Sequence, residues 1–254
     1  MIRITETVKH LIIINVLLWI ATLILLERGI DLRVTLALFF PLNDSFEFWQ
    51  PVTSMFMHSV SSPMHLLFNM LGLWMFGSAL ETRWGKIKFL SFYMITGVGA
   101  CLVHTLVNYY GVQSNINILV EAGFNQNEII SLLNEGMYTP AWEKFLTESQ
   151  LANLASSFIN PALGASGALY GILVAFGMMY PNTELMLLFL PIPIKAKYFI
   201  PGLLLLDFIG GITGGLSLFG AGQIAHFAHL GGALFGFLLM WYFNKTQFNK
   251  NRWN

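Results

Sequence analysis

The sequence predicts an all-α membrane protein: a bundle of six transmembrane helices with a long first connection at the membrane interface. Three observations predict it. The 254 residues are 56% hydrophobic and only 10% charged, against about 25% charged in a soluble domain. Six apolar runs approach the roughly 20 residues that a helix needs to cross the hydrocarbon core. Lys and Arg sort to one side of the loops between those runs. Formal net charge is zero, so no basic footprint points to nucleic acid. The single cysteine, Cys101, excludes an internal disulfide framework and any multi-cysteine metal site.

The first run, 9–26, is followed by no small-residue cleavage site and reads as a retained span rather than a signal peptide. Residues 27–63 form the long first connection, with short apolar pieces such as LALFF. Spans two and three are 64–81 and 87–109. Residues 111–160 form an extended outer insertion, in which NEIISLLNEG and AWEKFLTESQLANLASSF read as amphipathic surface helices. Span four is 163–180. Pro181, Pro191 and Pro193 then argue against one continuous helix into span five, 198–216. Span six is 225–243. No internal repeat or low-complexity tract divides residues 1–254, so they read as a single domain.

Orientation follows from the basic residues. With the N-terminus inside, Arg3, Lys9, Arg83, Lys86, Lys88, Lys195, Lys197, Lys245, Lys250 and Arg252 lie inside. Only Arg28, Arg33 and Lys144 then lie outside. Both termini are expected in the cytoplasm. A compact six-span chain suggests a bacterial plasma membrane.

Polar residues within spans are functional candidates by default. Spans two, four and six all run inward, and each carries polar groups near its start: His65 and Asn69, Ser166, and His226 and His229. At 1.5 Å rise per residue, Ser166 and His229 sit roughly 5–8 Å below the outer helix ends. Three helices thus present polar groups at one depth. Ser166 stands among small residues at a helix start, where free backbone N–H groups and the dipole favour an oxyanion. Gly167 and Gly171 leave a smooth face for a partner helix, and Gly232 and Gly236 answer it from span six. His229 shares the face of Gly232 and Gly236. Close packing there brings an imidazole to the serine hydroxyl, the arrangement nucleophilic catalysis needs. His65 and Asn69, one turn apart, can both donate toward the same point.

At these residues the sequence resembles the rhomboid family of intramembrane serine proteases, over nearly all six spans. Its G-x-S-G motif with a following tyrosine is met by Gly164-Ala165-Ser166-Gly167 and Tyr170. Its A-H-x-x-G-x-x-x-G motif is met by Ala228-His229-Leu230-Gly231-Gly232 and Gly236. The H-x-x-x-N element is His65 and Asn69, and the E-x-R signature is Glu81-Thr82-Arg83. The resemblance implies a Ser166–His229 dyad without a catalytic carboxylate, cutting transmembrane segments of membrane proteins within the lipid bilayer through an acyl-enzyme. It implies an oxyanion held by the Ser166 amide with His65 and Asn69, and Tyr170 stacked on His229. Neither cofactor nor metal is needed, and the oligomeric state is left open. The first connection would be the family's membrane-embedded loop, and span five its lateral gate. Two features depart from the pattern. Gln50 follows Trp49 where many relatives have Arg, and Glu121, Glu128, Glu135, Glu143 and Glu148 of the insertion have no family role.

Other polar residues receive plainer readings. His226 is a structural residue at the cavity edge, in preference to a second base or a metal ligand, because no H-E-x-x-H setting is present. His58 reads as interfacial or cavity-lining, and His104 as a packing residue. Glu81 and Arg83 read as an ion pair tying the inner end of span two to a loop. Asp207 is either a proton-relay residue or an interior group with a hydrogen-bonding partner. An inactive relative that binds membrane proteins without cutting them is the alternative function. A small transporter fits less well, since repeated halves are missing.

Overall fold

A computed structural model describes residues 3–187, 190–213 and 226–250. Residues 214–216 and 225, at the ends of the expected fifth and sixth spans, lie outside the described residues, as does Arg252. Helix α1 (Glu6–Leu26) is apolar almost all round. It buries Val8 and Leu11 while leaving Ile13, Leu17, Ile20 and Ile24 exposed, the pattern of a helix bathed in lipid. Its buried Thr22 bonds back to the Leu18 carbonyl, 2.7 Å away, as an apolar setting requires.

Glu81 governs the start of this helix. Its carboxylate accepts the Thr5 hydroxyl and the Thr7 and Val8 amides, the last two at 3.0 Å. Those amides belong to the first turn, where no intrahelical carbonyl is available, and the dipole favours an anion. The expected Glu81–Arg83 ion pair is therefore corrected. Glu81 is buried against α1, whereas Arg83 is exposed and joins no ion pair among the described residues.

The first connection contains two short helices, α2 (Leu32–Leu36) and α3 (Gln50–Thr53). Asp31 caps α2 and pairs with Arg33 at 2.7 Å, which holds the Asp31 carboxyl below its ordinary range. Gln50, the departure noted above, is fully buried and braces the loop from within. It accepts the Phe39 amide at 3.1 Å and donates to the Ser45 carbonyl at 2.7 Å.

Helices α4 (Pro63–Gly72) and α5 (Ser78–Trp84) form one run joined by a π turn at Leu73–Gly77. Helix α6 (Lys86–Glu121) is 36 residues long. That is about 54 Å, far beyond the roughly 30 Å hydrocarbon core. Falling hydropathy set the expected end of span three at residue 109, yet the helical period continues. Val112, Ile116 and Leu119 recur at helical spacing and are buried. They seat the insertion, which adds α7 (Gln126–Asn134), a 3₁₀ turn at Pro140–Lys144 and α8 (Glu148–Ile159). A capping box of Thr147 and Gln150 starts α8. Ile129, Leu133, Trp142, Leu154 and Phe158 complete a core separate from that of the main bundle.

Helix α9 (Ser166–Met179) lies at the centre, buried from Gly167 through Phe176. Beyond it, the proline-rich segment forms a hairpin, β1 (Glu184–Leu187) and β2 (Leu190–Lys195). A two-stranded ribbon accommodates Pro191 and Pro193 because each strand has a free edge. Helices α10 (Ala196–Thr213) and α11 (His226–Lys250) follow. Among the described residues, four helices are long and apolar enough to cross a membrane: Glu6–Leu26, Lys86–Glu121, Ala196–Thr213 and His226–Lys245. The architecture is an all-α membrane bundle.

Glycines decide how closely α9 and α11 approach. A Cβ on Gly232 would stand 1.8 Å from the Gly167 carbonyl oxygen, and one on Gly236 2.7 Å from the Gly171 Cα. Backbone meets backbone at both points, which no larger residue permits.

Candidate active site

The chain enters α9 through a fixed turn. Leu38 and Ala162 exchange backbone hydrogen bonds of 2.9 and 2.8 Å, pinning the segment before the serine to the first connection. Gly164 then takes a φ of +122°, a conformation open to glycine but strained for other residues. Its amide bonds the Ser54 carbonyl at 2.9 Å. Ser166 is the first residue of α9, so its own amide has no carbonyl partner within the helix.

From α11, His229 places Nε2 2.9 Å from the Ser166 Oγ. Its ring stacks on Tyr170 with centroids 4.2 Å apart and planes 9° from parallel. Its Nδ1 lies 3.0 Å from Oδ1 of Asp207, on α10. The same oxygen meets Nδ1 of His226 at 2.7 Å. An ionised carboxylate only accepts, so both Nδ1 atoms carry protons, and in the neutral ring Nε2 of His229 keeps its lone pair for the serine hydroxyl. Four side chains on three helices thus form one chain of hydrogen bonds: Ser166, His229, Asp207, His226.

Sequence reasoning brought Ser166, His229 and Tyr170 to one place but missed the carboxylate. Asp207 stood alone in its span, and no periodicity relates a residue on α10 to one on α11. The only signal was its cost: a carboxylate in an apolar span requires a partner. His226, read as a residue at the cavity edge, is instead the second imidazole on Asp207.

The expected pair of donors is only partly assembled. The His65 ring lies against Gly164, where an added Cβ would come within 2.9 Å of its Nε2. Asn69 is buried, and its Nδ2 donates to the His65 carbonyl at 2.8 Å. Its amide is turned to its own helix rather than toward Ser166, because that carbonyl one turn back is the nearest acceptor in an apolar setting. Behind His65, the His58 ring is fully buried with its centroid 5.2 Å away, and burial pushes the His58 imidazole down to about 3. His104 pairs with Asn108 at 3.1 Å. It also borders a cavity of about 30 Å³ beside Ser166, Cys101 and Ala228. A larger cavity of about 610 Å³ opens between the first connection and the insertion, and Leu163 borders both.

Residues 45–246 match the family model of the rhomboid domain. The chain belongs to the rhomboid family. Among curated proteins, Rhomboid protein 1, mitochondrial, of Saccharomyces cerevisiae is 29% identical over 182 residues, covering 72% of this chain and 38% of that protein. Rhomboid protease AarA of Providencia stuartii is 26% identical over 199 residues, covering 76% of this chain and 55% of that protein. Presenilin-associated rhomboid-like protein A, mitochondrial, of Danio rerio is 29% identical over 192 residues, covering 75% and 36%. The chain thus spans between 36% and 55% of the length of these rhomboid relatives.

The relatives with mitochondrial names correct the expected location. Rhomboid proteins of two yeasts and of vertebrates are mitochondrial by name, which overturns the bacterial plasma membrane and, with it, cytoplasmic termini. The physical reason is simple. Span count and basic-residue sorting describe how a chain sits in a bilayer, and they carry nothing about which bilayer it is. The multi-pass membrane character stands.

Proposed function

We propose that this rhomboid-family protein is an intramembrane serine endopeptidase of a mitochondrial membrane. Its substrates on this reading are transmembrane segments of other membrane proteins. The observation that carries the reading is the 2.9 Å hydrogen bond between the Ser166 hydroxyl and His229 Nε2, at the start of a buried helix. A weak hydroxyl nucleophile has its base in range, and the base has its lone pair free.

In the proposed reaction, Nε2 of His229 takes the hydroxyl proton as Ser166 Oγ bonds to the scissile carbonyl carbon. The carbonyl oxygen becomes an oxyanion, held by the Ser166 amide and the end of the α9 dipole. The His65 ring stands close enough to Gly164 to add a donor. Asn69 adds another once its amide turns from the His65 carbonyl. Collapse of the intermediate breaks the C–N bond, and His229 returns the proton to the leaving amine. Water, deprotonated by the same imidazole, then bonds to the acyl carbon, the ester C–O bond to Ser166 breaks, and His229 returns the proton to the Ser166 Oγ. Tyr170 holds the ring plane through these transfers, and Gly167, Gly171, Gly232 and Gly236 hold the two helices at bonding distance.

Two measurements test this. Purified protein in detergent is incubated with single-span membrane substrates and, separately, with a small serine-reactive fluorophosphonate. Wild type is expected to cleave and to label. Ser166→Ala and His229→Ala are expected to lose both by about a thousandfold or more. Cleavage that survives in both variants overturns the assignment. A wild type that neither cleaves nor labels favours a catalytically inactive, membrane-protein-binding role.

A further inference from the structure

The helix that carries Asp207 is held differently from its neighbours. Near the hairpin, α10 packs Ala196, Ile200 and Leu203 into an apolar cluster with Tyr170, Leu173 and Ala233. At the level of Ser166 its contacts change character. There Leu205, Phe208, Ile209 and Ile212 are exposed, and the buried positions are Asp207 and Gly210. A Cβ on Gly210 would stand 2.7 Å from the His226 ring, and one on Gly211 3.1 Å from the Phe227 ring. Two small residues therefore let α10 approach α11 until one carboxylate oxygen reaches two imidazoles, at 2.7 and 3.0 Å. At this end the helix is fastened by hydrogen bonds more than by apolar packing.

Those bonds are also what select the form of His229. A neutral imidazole carries its proton on either nitrogen, and only the Nδ1–H form can accept from the serine. With Asp207 in place, Nδ1 holds the proton. With Asp207 withdrawn, the ring is free to carry it on Nε2 and to donate to Ser166 instead, which leaves the hydroxyl unactivated. Withdrawal would also strand a carboxylate in an apolar surrounding, so the docked state is strongly favoured when the site is empty.

We infer that Asp207 is a positioning residue and that its place on α10 makes the reactivity of Ser166 conditional on α10 being docked against α11. The inference rests on the catalytic reading of Ser166 and His229. A substrate helix that displaces α10 would meet an inactive serine, and chemistry would begin once α10 closes again. His226 shares the carboxylate and steadies it from the side away from the serine.

The test is the rate of fluorophosphonate labelling of the full chain, since a small reagent need not part the helices as a transmembrane substrate does. Wild type is compared with Asp207→Asn, Asp207→Glu, Gly210→Leu and the Asp207→Asn/Gly210→Leu double variant. Thermal melting identifies variants that remain folded. Asp207→Asn is expected to label about 10- to 100-fold more slowly, with Asp207→Glu recovering part of the loss. Gly210→Leu, which wedges α10 from the His226 ring, is expected to slow labelling about tenfold or more. The double variant is expected to be no slower than the slower single one, because both act through one contact. Were Asp207 only a fastener for the gate, its loss would change cleavage of transmembrane substrates and leave labelling alone. Labelling of a folded Asp207→Asn at the wild-type rate overturns the inference by itself, as does a fast Gly210→Leu. Failure of wild type to label removes the catalytic reading as well, so the two failures are distinct.

Discussion

At the scale of single residues, the site depends on what glycine leaves out. Gly232 faces the carbonyl of Gly167 at a separation that a methyl group would fill, and neither partner is a side chain able to rotate away. Gly232→Ala must therefore move α11 bodily. We expect a loss of about 1–3 kcal/mol from overpacking, and with it the Ser166–His229 contact. Thermal melting should fall and fluorophosphonate labelling should drop at least tenfold. Normal labelling would mean that the helices adjust without disturbing the imidazole. This register was legible in the sequence, because Gly232 and Gly236 share a face with His229 and period alone places them. Ser166 and His229 were legible for the same reason, whereas the stacking of Tyr170 on His229 came from the family resemblance. Asp207 was not: its partners stand on another helix, and no motif or matched glycine register in the sequence paired its position with theirs. Nor was the direction of the Asn69 amide, which is settled by the nearest carbonyl rather than by residue type.

At the scale of elements, the least legible feature is how α1 is tied to α5. The pair Glu81 and Arg83 invites an ion pair by charge alone, yet burial separates them. Glu81 turns inward to the first turn of α1, and Arg83 turns outward. Helix N-termini attract carboxylates through unbonded amides, but which of many carboxylates answers is a tertiary matter. Glu81→Ala would leave two backbone amides and a hydroxyl without their acceptor. We expect it to cost about 1–3 kcal/mol, seen as a lower melting temperature in detergent. Arg83→Ala should stay within about 0.5 kcal/mol of wild type. Equal losses from the two would restore the ion pair. The π turn at Leu73–Gly77 was equally hidden, since one extra residue in a turn barely disturbs an apolar run. The hairpin at 184–195 was half legible. Its prolines excluded a continuous helix but did not name the alternative.

At the scale of the whole molecule, two cores share one long helix. The main bundle centres on α9, and the insertion gathers its own apolar residues on the far end of α6. Hydropathy ended that helix too early because a membrane criterion looks for uniform apolarity, whereas the insertion uses one face only. The insertion also supports the first connection. Asn43 donates to the Phe158 carbonyl at 2.8 Å, Asn134 accepts the Asp44 amide at 3.1 Å, and Phe40 packs on Phe158 at 5.1 Å. The two cores nonetheless bury different residues, so damage to one should not melt the other. Trp142 is 1% exposed at the centre of the insertion core. Trp142→Ala should remove about 3–5 kcal/mol from that core. Limited proteolysis should then open the segment between α7 and α8, while α9 and α11 stay protected. Fluorophosphonate labelling should fall by less than about tenfold, because the bonds around His229 belong to the other core. Labelling lost as completely as in Ser166→Ala would instead make the insertion part of the frame that holds the serine, reaching it through Leu38, Ala162 and the turn at Gly164.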